Sequence, residues 1–139
     1  MKTQQQKIGE FGEKAAVKYL KKNGYKILKK NFRADWHGEI DIVALGSTPS
    51  PTRLVRRLIG RLKKSGGELV FVEVKTKTDE QFGAPEQELT FYKRKKIYYS
   101  IQNYLFKNNL MDSDWRFDLI AVEILNGKTG IRHYENISL

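Results

Sequence analysis

Leu69-Val70-Phe71-Val72-Glu73-Val74-Lys75-Thr76-Lys77 carries valines at every second position, Val70, Val72 and Val74, and sets Leu69, Phe71, Glu73, Lys75 and Lys77 between them. A period of two is the mark of a β-strand, and β-branched residues on one face suit a pleated surface packed on a core. Upstream, Gly38 to Leu45 repeats the pattern with Glu39, Asp41 and Val43 on one face and Ile40, Ile42 and Ala44 on the other. Two such strands can pair as an antiparallel hairpin. A suitable register then gathers Glu39, Asp41, Glu73 and Lys75 on a shared face.

Outward from this pair the period changes. From Ile8 to Asn23 the apolar positions Ile8, Phe11, Ala15, Tyr19 and Leu20 recur every three or four residues, which predicts an amphipathic helix closed by Asn23-Gly24. Tyr25 to Phe32 reads as a short first strand. Thr90 to Asn108 returns to helical spacing, with Thr90 as N-cap and Ile97, Ile101, Tyr104 and Leu105 as the buried stripe. Trp115 to Ile124 and Ile131 to Ile137 predict two closing strands, separated by turn signals at Asn126-Gly127 and Gly130. The order is α-β-β-β-α-β-β, an α/β chain of one domain over residues 1–139. Tyr98, Tyr104 and Trp115 are expected in the core, whereas Tyr92 and Tyr99 stay open between packing and stacking on bases.

Charge narrows the partners. The 139 residues include 26 Lys plus Arg against 16 Asp plus Glu, a net charge of +10, and 40% are apolar, enough for a packed core. Such a surface attracts polyanions, whether nucleic acid or anionic lipid. The segment 46–67 holds Arg53, Arg56, Arg57, Arg61, Lys63 and Lys64 with no acid, and is longer than an ordinary hairpin connection, so it reads as a functional insert. Its Leu and Arg spacing also suits a membrane surface or a partner helix, but DNA is the favoured ligand and no membrane partner is expected. Absence of cysteine removes thiolate chemistry and zinc knuckles. With no apolar run long enough for a signal or a span, a cytoplasmic protein is expected. His37 and His133 are too few and too dispersed for a zinc triad, although His37 can contact phosphate. No GxxxxGK loop or serine-nucleophile motif occurs.

What chemistry remains rests on carboxylates. Two acids, a backbone carbonyl and waters make a hard oxygen site for Mg²⁺ or Mn²⁺, open to a phosphate oxygen, with Lys75 placed to orient or deprotonate a nucleophile. The same Asp41, Glu73 and Lys75 also read as a solvent-facing ladder of salt bridges. Gly38-Glu39-Ile40-Asp41-Ile42-Val43 followed by Phe71-Val72-Glu73-Val74-Lys75-Thr76 resembles the two halves of the PD-(D/E)XK nuclease signature. Together with Gly9-Glu10-Phe11-Gly12-Glu13, Asn31-Phe32-Arg33, Phe82-Gly83-Ala84-Pro85, Lys93 and Arg116-Phe117-Asp118, the chain is similar nearly end to end to the YraN-like family of predicted bacterial endonucleases. That resemblance implies a restriction-endonuclease-like fold, a mixed sheet flanked by helices, close in style to archaeal Holliday-junction resolvases. It further implies Asp41 and Glu73 as metal ligands, Lys75 as catalytic lysine, Glu13 completing the metal shell and Glu39 as an auxiliary acid. Arg33, Lys77, Lys93, Arg94 and Lys96, with the basic residues of the insert, are the expected DNA contacts, and resolvase-like geometry makes a homodimer attractive. A noncatalytic nucleic-acid-binding module on the same fold is the alternative. Two departures from the family pattern, the insert and Lys93-Arg94-Lys95-Lys96 in place of a mixed Lys-Gln-x-Arg, both add positive charge and leave the catalytic set intact.

Overall fold

In a computed structural model of the chain, the residues described are 1–35, 38–46, 67–78 and 85–139. Most of the basic insert, with Arg53, Arg56, Arg57, Arg61, Lys63 and Lys64, lies outside the described residues, as do Trp36 and His37. Helix α1 (Gln4–Lys22) leads into β1 (Lys26–Arg33), β2 (Glu39–Gly46) and β3 (Glu68–Lys77). A single helical turn, α2 (Pro85–Glu88), and helix α3 (Phe91–Lys107) precede β4 (Trp115–Leu125) and β5 (Lys128–Tyr134). The expected α-β-β-β-α-β-β order is the observed one, with α2 added ahead of the second long helix.

The five strands form one mixed sheet in the order β1-β2-β3-β4-β5. β3 and β4 run parallel, and the other neighbours are antiparallel. A parallel pair needs a crossover connection, which α2 and α3 lie within. Helices cover both faces. Ala16 and Leu20 of α1 pack with Ile42, Ala44, Val70, Val72, Ile120 and Val122, while Ile97, Ile101, Tyr104 and Leu105 of α3 pack with Val43, Leu69, Phe71 and Phe117. The valine face of β3 is therefore one of two buried faces, and Leu69 and Phe71, read from sequence as opposite the core, belong to the second. A strand covered on both sides must be apolar on both.

Helix α1 differs from its expected form at its start and in its buried side. It begins at Gln4 because Thr3 caps it: Gln6 N donates to Thr3 Oγ1 at 3.2 Å and Thr3 N donates to Gln6 Oε1 at 2.9 Å. Gly12, Ala16 and Leu20 face the sheet, and Phe11, expected in the stripe, is 47% exposed. A Cβ at Gly12 would overlap the side chain of Thr76 on β3. The helix thus settles on its smallest residues and turns Phe11 outward. In α3, Thr90 Oγ1 accepts from Lys93 N at 3.1 Å, and the expected stripe is the buried one. Tyr98, expected inside, is 45% exposed and meets Trp115 and Tyr99 by its ring. β5 starts at Lys128 rather than Ile131, since Asn126 (φ 52°) and Gly127 (φ 72°) alone turn the hairpin and leave Gly130 opposite Glu123. Among the described residues no helix is long and apolar enough to cross a membrane.

Candidate active site

The β2–β3 ladder runs from Gly46↔Glu68 to Ile42↔Val72 and stops. In that register Asp41 would next face Glu73. Instead the strands part, and the Val74 backbone N–H donates to Asp41 Oδ2 at 2.8 Å. A side-chain carboxylate thereby replaces the acceptor that the diverging strand no longer offers, so the backbone donor stays paired beside the core. β1 contributes to the break. Asn31 has φ 52° and stands between the pairs Lys30↔Ile42 and Phe32↔Ile40. A left-handed residue turns the pleat over, which asparagine tolerates better than most. Ile42 accordingly packs toward α1 whereas Ile40 packs with Phe32 toward α3. The uninterrupted alternation expected for Gly38 to Leu45 fails at this point for that reason.

Glu73 lies one residue before the bonded amide. Its Oε1 sits 2.7 Å from Lys93 Nζ, which reaches over from the first turn of α3, and 3.7 Å from Lys75 Nζ. Asp41 and Glu73 are only 8% and 7% exposed. Burial, then the nearby Glu73 carboxylate, push the Asp41 carboxyl up to about 8, with Glu13 and Glu39 adding to the effect and the Val74 N–H opposing it. Burial also raises the Glu13 carboxyl, against a hydrogen bond from Asn31. The Lys75 ammonium is lowered by burial and by the adjacent Lys93. Burial disfavours the Lys93 ammonium too, but its bond to Glu73 outweighs that cost and raises it.

The acids at the fork are carboxylates, the oxygen donors that Mg²⁺ and Mn²⁺ prefer, and an acid whose charge is this poorly tolerated gains most from a positive neighbour. Lys93 shows that Glu73 already holds one. The oxygens of Asp41, Glu73 and Glu13 do not all lie within 4.8 Å of one another, so a shared cation would have to draw them together. The three ligand atoms found within 4.8 Å of one another among the described residues are elsewhere, on Asp118, His133 and Glu135. That second cluster does not fit a metal. Arg116 donates from Nε to Asp118 Oδ1 at 3.0 Å and from Nη2 to Glu135 Oε1 at 3.3 Å, and Asn136 N donates to Asp118 Oδ1 at 2.9 Å. His133 Nε2 is 2.8 Å from Asp118 Oδ2. Despite burial, these bonds hold the Asp118 carboxyl below its ordinary value. A permanently charged guanidinium occupies the place of a cation, and the cluster ties β4 to β5.

Other residues expected at the site are engaged locally. Glu39 pairs with Arg33 at 3.5 Å, and Lys77 pairs with Glu88 at 3.5 Å. Arg94 donates to the Leu89 and Ser138 carbonyls, both at 3.1 Å, and Lys96 lies over the Tyr92 ring, 4.7 Å from its centre. Sequence reasoning did not assign Asn31, although an asparagine inside a strand pattern signals left-handed backbone. It named Glu13 on the side of the site formed by α1 and β1 but passed over the lysines there. There Glu13, Asn31 and Asp41 line a cleft with Lys14, Lys18, Lys21 and Lys30. Lysines at four-residue spacing on a helix otherwise read as a solvated face.

A mixed-sheet α/β domain with one acid at the fork of two strands, and an acid-x-lysine on the second of them, defines the class of protein. The chain belongs to the uncharacterised protein family UPF0102, whose model matches residues 12–122, and this is the YraN-like family of the sequence resemblance. A UPF0102 protein of Alkaliphilus oremlandii is 38% identical over 132 residues, covering 94% of this chain and 96% of its own. Another, from Clostridioides difficile, is 41% identical over 128 residues, covering 92% and 93%. A third, from Geobacter metallireducens, is 35% identical over 129 residues, covering 93% and 89%.

Proposed function

We propose that this protein is a metal-dependent endonuclease that hydrolyses DNA phosphodiester bonds, at branched or structured sites, with Asp41, Glu73 and Glu13 holding Mg²⁺ or Mn²⁺. The observation that carries this reading is the fork itself. A buried carboxylate caps Val74 where two strands separate, beside a second acid that two lysines approach. In hydrolysis a water oxygen bonds to phosphorus, the bond from phosphorus to the leaving oxygen breaks, and that oxygen ends with a proton. A cation bound here would neutralise phosphate charge and acidify its water. Lys75, whose ammonium is destabilised by burial and by Lys93, is the group suited to orient the water or accept its proton. Lys93 offers positive charge to a phosphate oxygen, Glu39 sits at the outer margin of the acids, and a paired chain would coordinate two cuts.

The second reading, a noncatalytic nucleic-acid-binding module, takes its support from the 2.7 Å Glu73–Lys93 pair, which can serve as inert, self-neutralised structure. One experiment separates them. Purified protein is incubated with duplex, single-stranded, flap and four-way DNA in Mg²⁺ or Mn²⁺, alongside Asp41→Asn, Glu73→Gln and Lys75→Met. The nuclease reading expects cleavage that each substitution abolishes while DNA binding persists. Binding with no cleavage by the wild type on any substrate supports the module instead.

A further inference from the structure

The α1–β1 side of the molecule contains two adjoining grooves. The first, already described, opens onto Glu13 and Asp41; the second is lined by Lys21, Tyr25, Lys26, Ile27, Leu28, Lys29 and Lys30. They share Lys21 and Lys30 and so adjoin, the first beginning at the acids and the second following the edge strand. Six lysines line the two: Lys14, Lys18, Lys21, Lys26, Lys29 and Lys30, all exposed. None of them takes part in the ion pairs found among the described residues.

Local structure explains their convergence. Lys14, Lys18 and Lys21 are at positions i, i+4 and i+7 of α1 and so share a helix face, spread over about 10.5 Å at 1.5 Å per residue. That span equals about three steps of roughly 3.4 Å measured along the axis of a duplex. On β1 the register shifts between Ile27 and Lys29, and Asn31 is left-handed, so Lys29 and Lys30 are both exposed although they are successive residues. A bulge of this kind re-aims side chains.

From this geometry we infer that the lysine-lined grooves between α1 and β1 are a track for the DNA backbone, leading one strand's phosphates to Asp41 and Glu13. The inference rests on the DNA-binding half of the proposed function and adds a surface opposite in the fold to the α3 lysines. Charge complementarity supports it: acids at one end suit a cation-bridged phosphate, and beyond them the six lysines, which outnumber the one further acid of the groove, Glu10 near Lys14, suit the phosphates that follow. Lysines on an edge strand also deter pairing with another sheet. That role would leave DNA affinity untouched.

The test is fluorescence anisotropy of a labelled duplex over a series of salt concentrations in EDTA, where no metal-dependent cleavage intervenes. Wild type is compared with the triple variant Lys18→Gln, Lys21→Gln, Lys30→Gln and with an equal-charge control, Lys107→Gln, Lys128→Gln, Arg132→Gln, each checked for an unchanged thermal melt. The track expects log affinity against log salt to flatten by about 2 to 3 in the first variant, at about 0.9 per phosphate contact, and by clearly less in the control. Equal flattening in both, or none in the first, overturns the track while leaving DNA binding standing. No wild-type binding at any salt overturns the DNA reading itself. Binding to phosphatidylserine vesicles that only the first variant loses, with DNA affinity unchanged, assigns the lysines to a lipid surface and also overturns the track.

Discussion

Replacing Asp41 by Asn should make the metal-free protein more stable at alkaline pH and remove most of its pH dependence. The Asp41 carboxyl stands near 8 in the folded chain, against 3.8 for the free group, because burial and the Glu73 charge oppose its ionisation. A raised folded value means that the native state binds the proton more tightly than the unfolded state does. Its contribution is complete below about pH 4 and is lost as pH rises through 8. At 1.36 kcal/mol per pKa unit the loss has a ceiling of about 6 kcal/mol, a large share of a small domain's stability. Lys93 and Lys75 moving toward the new charge would return part of it. Asn keeps an oxygen for the Val74 N–H and carries no charge at any pH. Urea unfolding in EDTA at pH 5, 7 and 9 should therefore show wild-type stability falling by several kcal/mol, and the Asp41→Asn profile nearly flat. Saturating Mg²⁺ at pH 8 should recover about 3 kcal/mol in the wild type at a concentration of a hundred times Kd, and little in the variant. Parallel pH profiles for the two proteins, within about 0.5 kcal/mol, would refute the reasoning.

Lys93→Met should strengthen Mn²⁺ binding about tenfold by calorimetry, because the ammonium 2.7 Å from Glu73 competes with any incoming cation; unchanged affinity would show that Glu73 is not a ligand. Gly12→Ala should lower stability by about 1–3 kcal/mol in chemical denaturation, since its methyl overlaps Thr76, with Thr76→Ala recovering part of the loss. Asp118→Asn should cost about 3–5 kcal/mol, because the Arg116 guanidinium loses its principal carboxylate, and should leave Mn²⁺ binding unchanged.

Element type was legible from sequence because each long element had one clear period. Ile97, Ile101, Tyr104 and Leu105 fell where helical spacing put them, and the β3 valines alternated as drawn. The errors arose where tertiary contact overrode local pattern. Gly12 tips α1 onto small residues, and nothing within the helix announces that Thr76 waits beneath it. Leu69 and Phe71 looked like a second face of unknown environment until α3 covered them. At the site, strand parity placed Asp41, Glu73 and Lys75 near one another. It could not show that the ladder ends at Ile42↔Val72, or that a lysine fifty-two residues beyond Asp41 would be held against Glu73. Asn31 illustrates the harder case: its effect on the pleat depends on backbone geometry that no periodicity encodes.

One bond at the fork gives an unusually selective window on this molecule. Since the Val74 amide is anchored by a side-chain oxygen of Asp41, anything that titrates, neutralises or captures that oxygen must alter the amide's electronic surroundings. In a nitrogen–proton correlation spectrum a single cross-peak would then follow occupancy of the acid pair directly, with no substrate, label or turnover required.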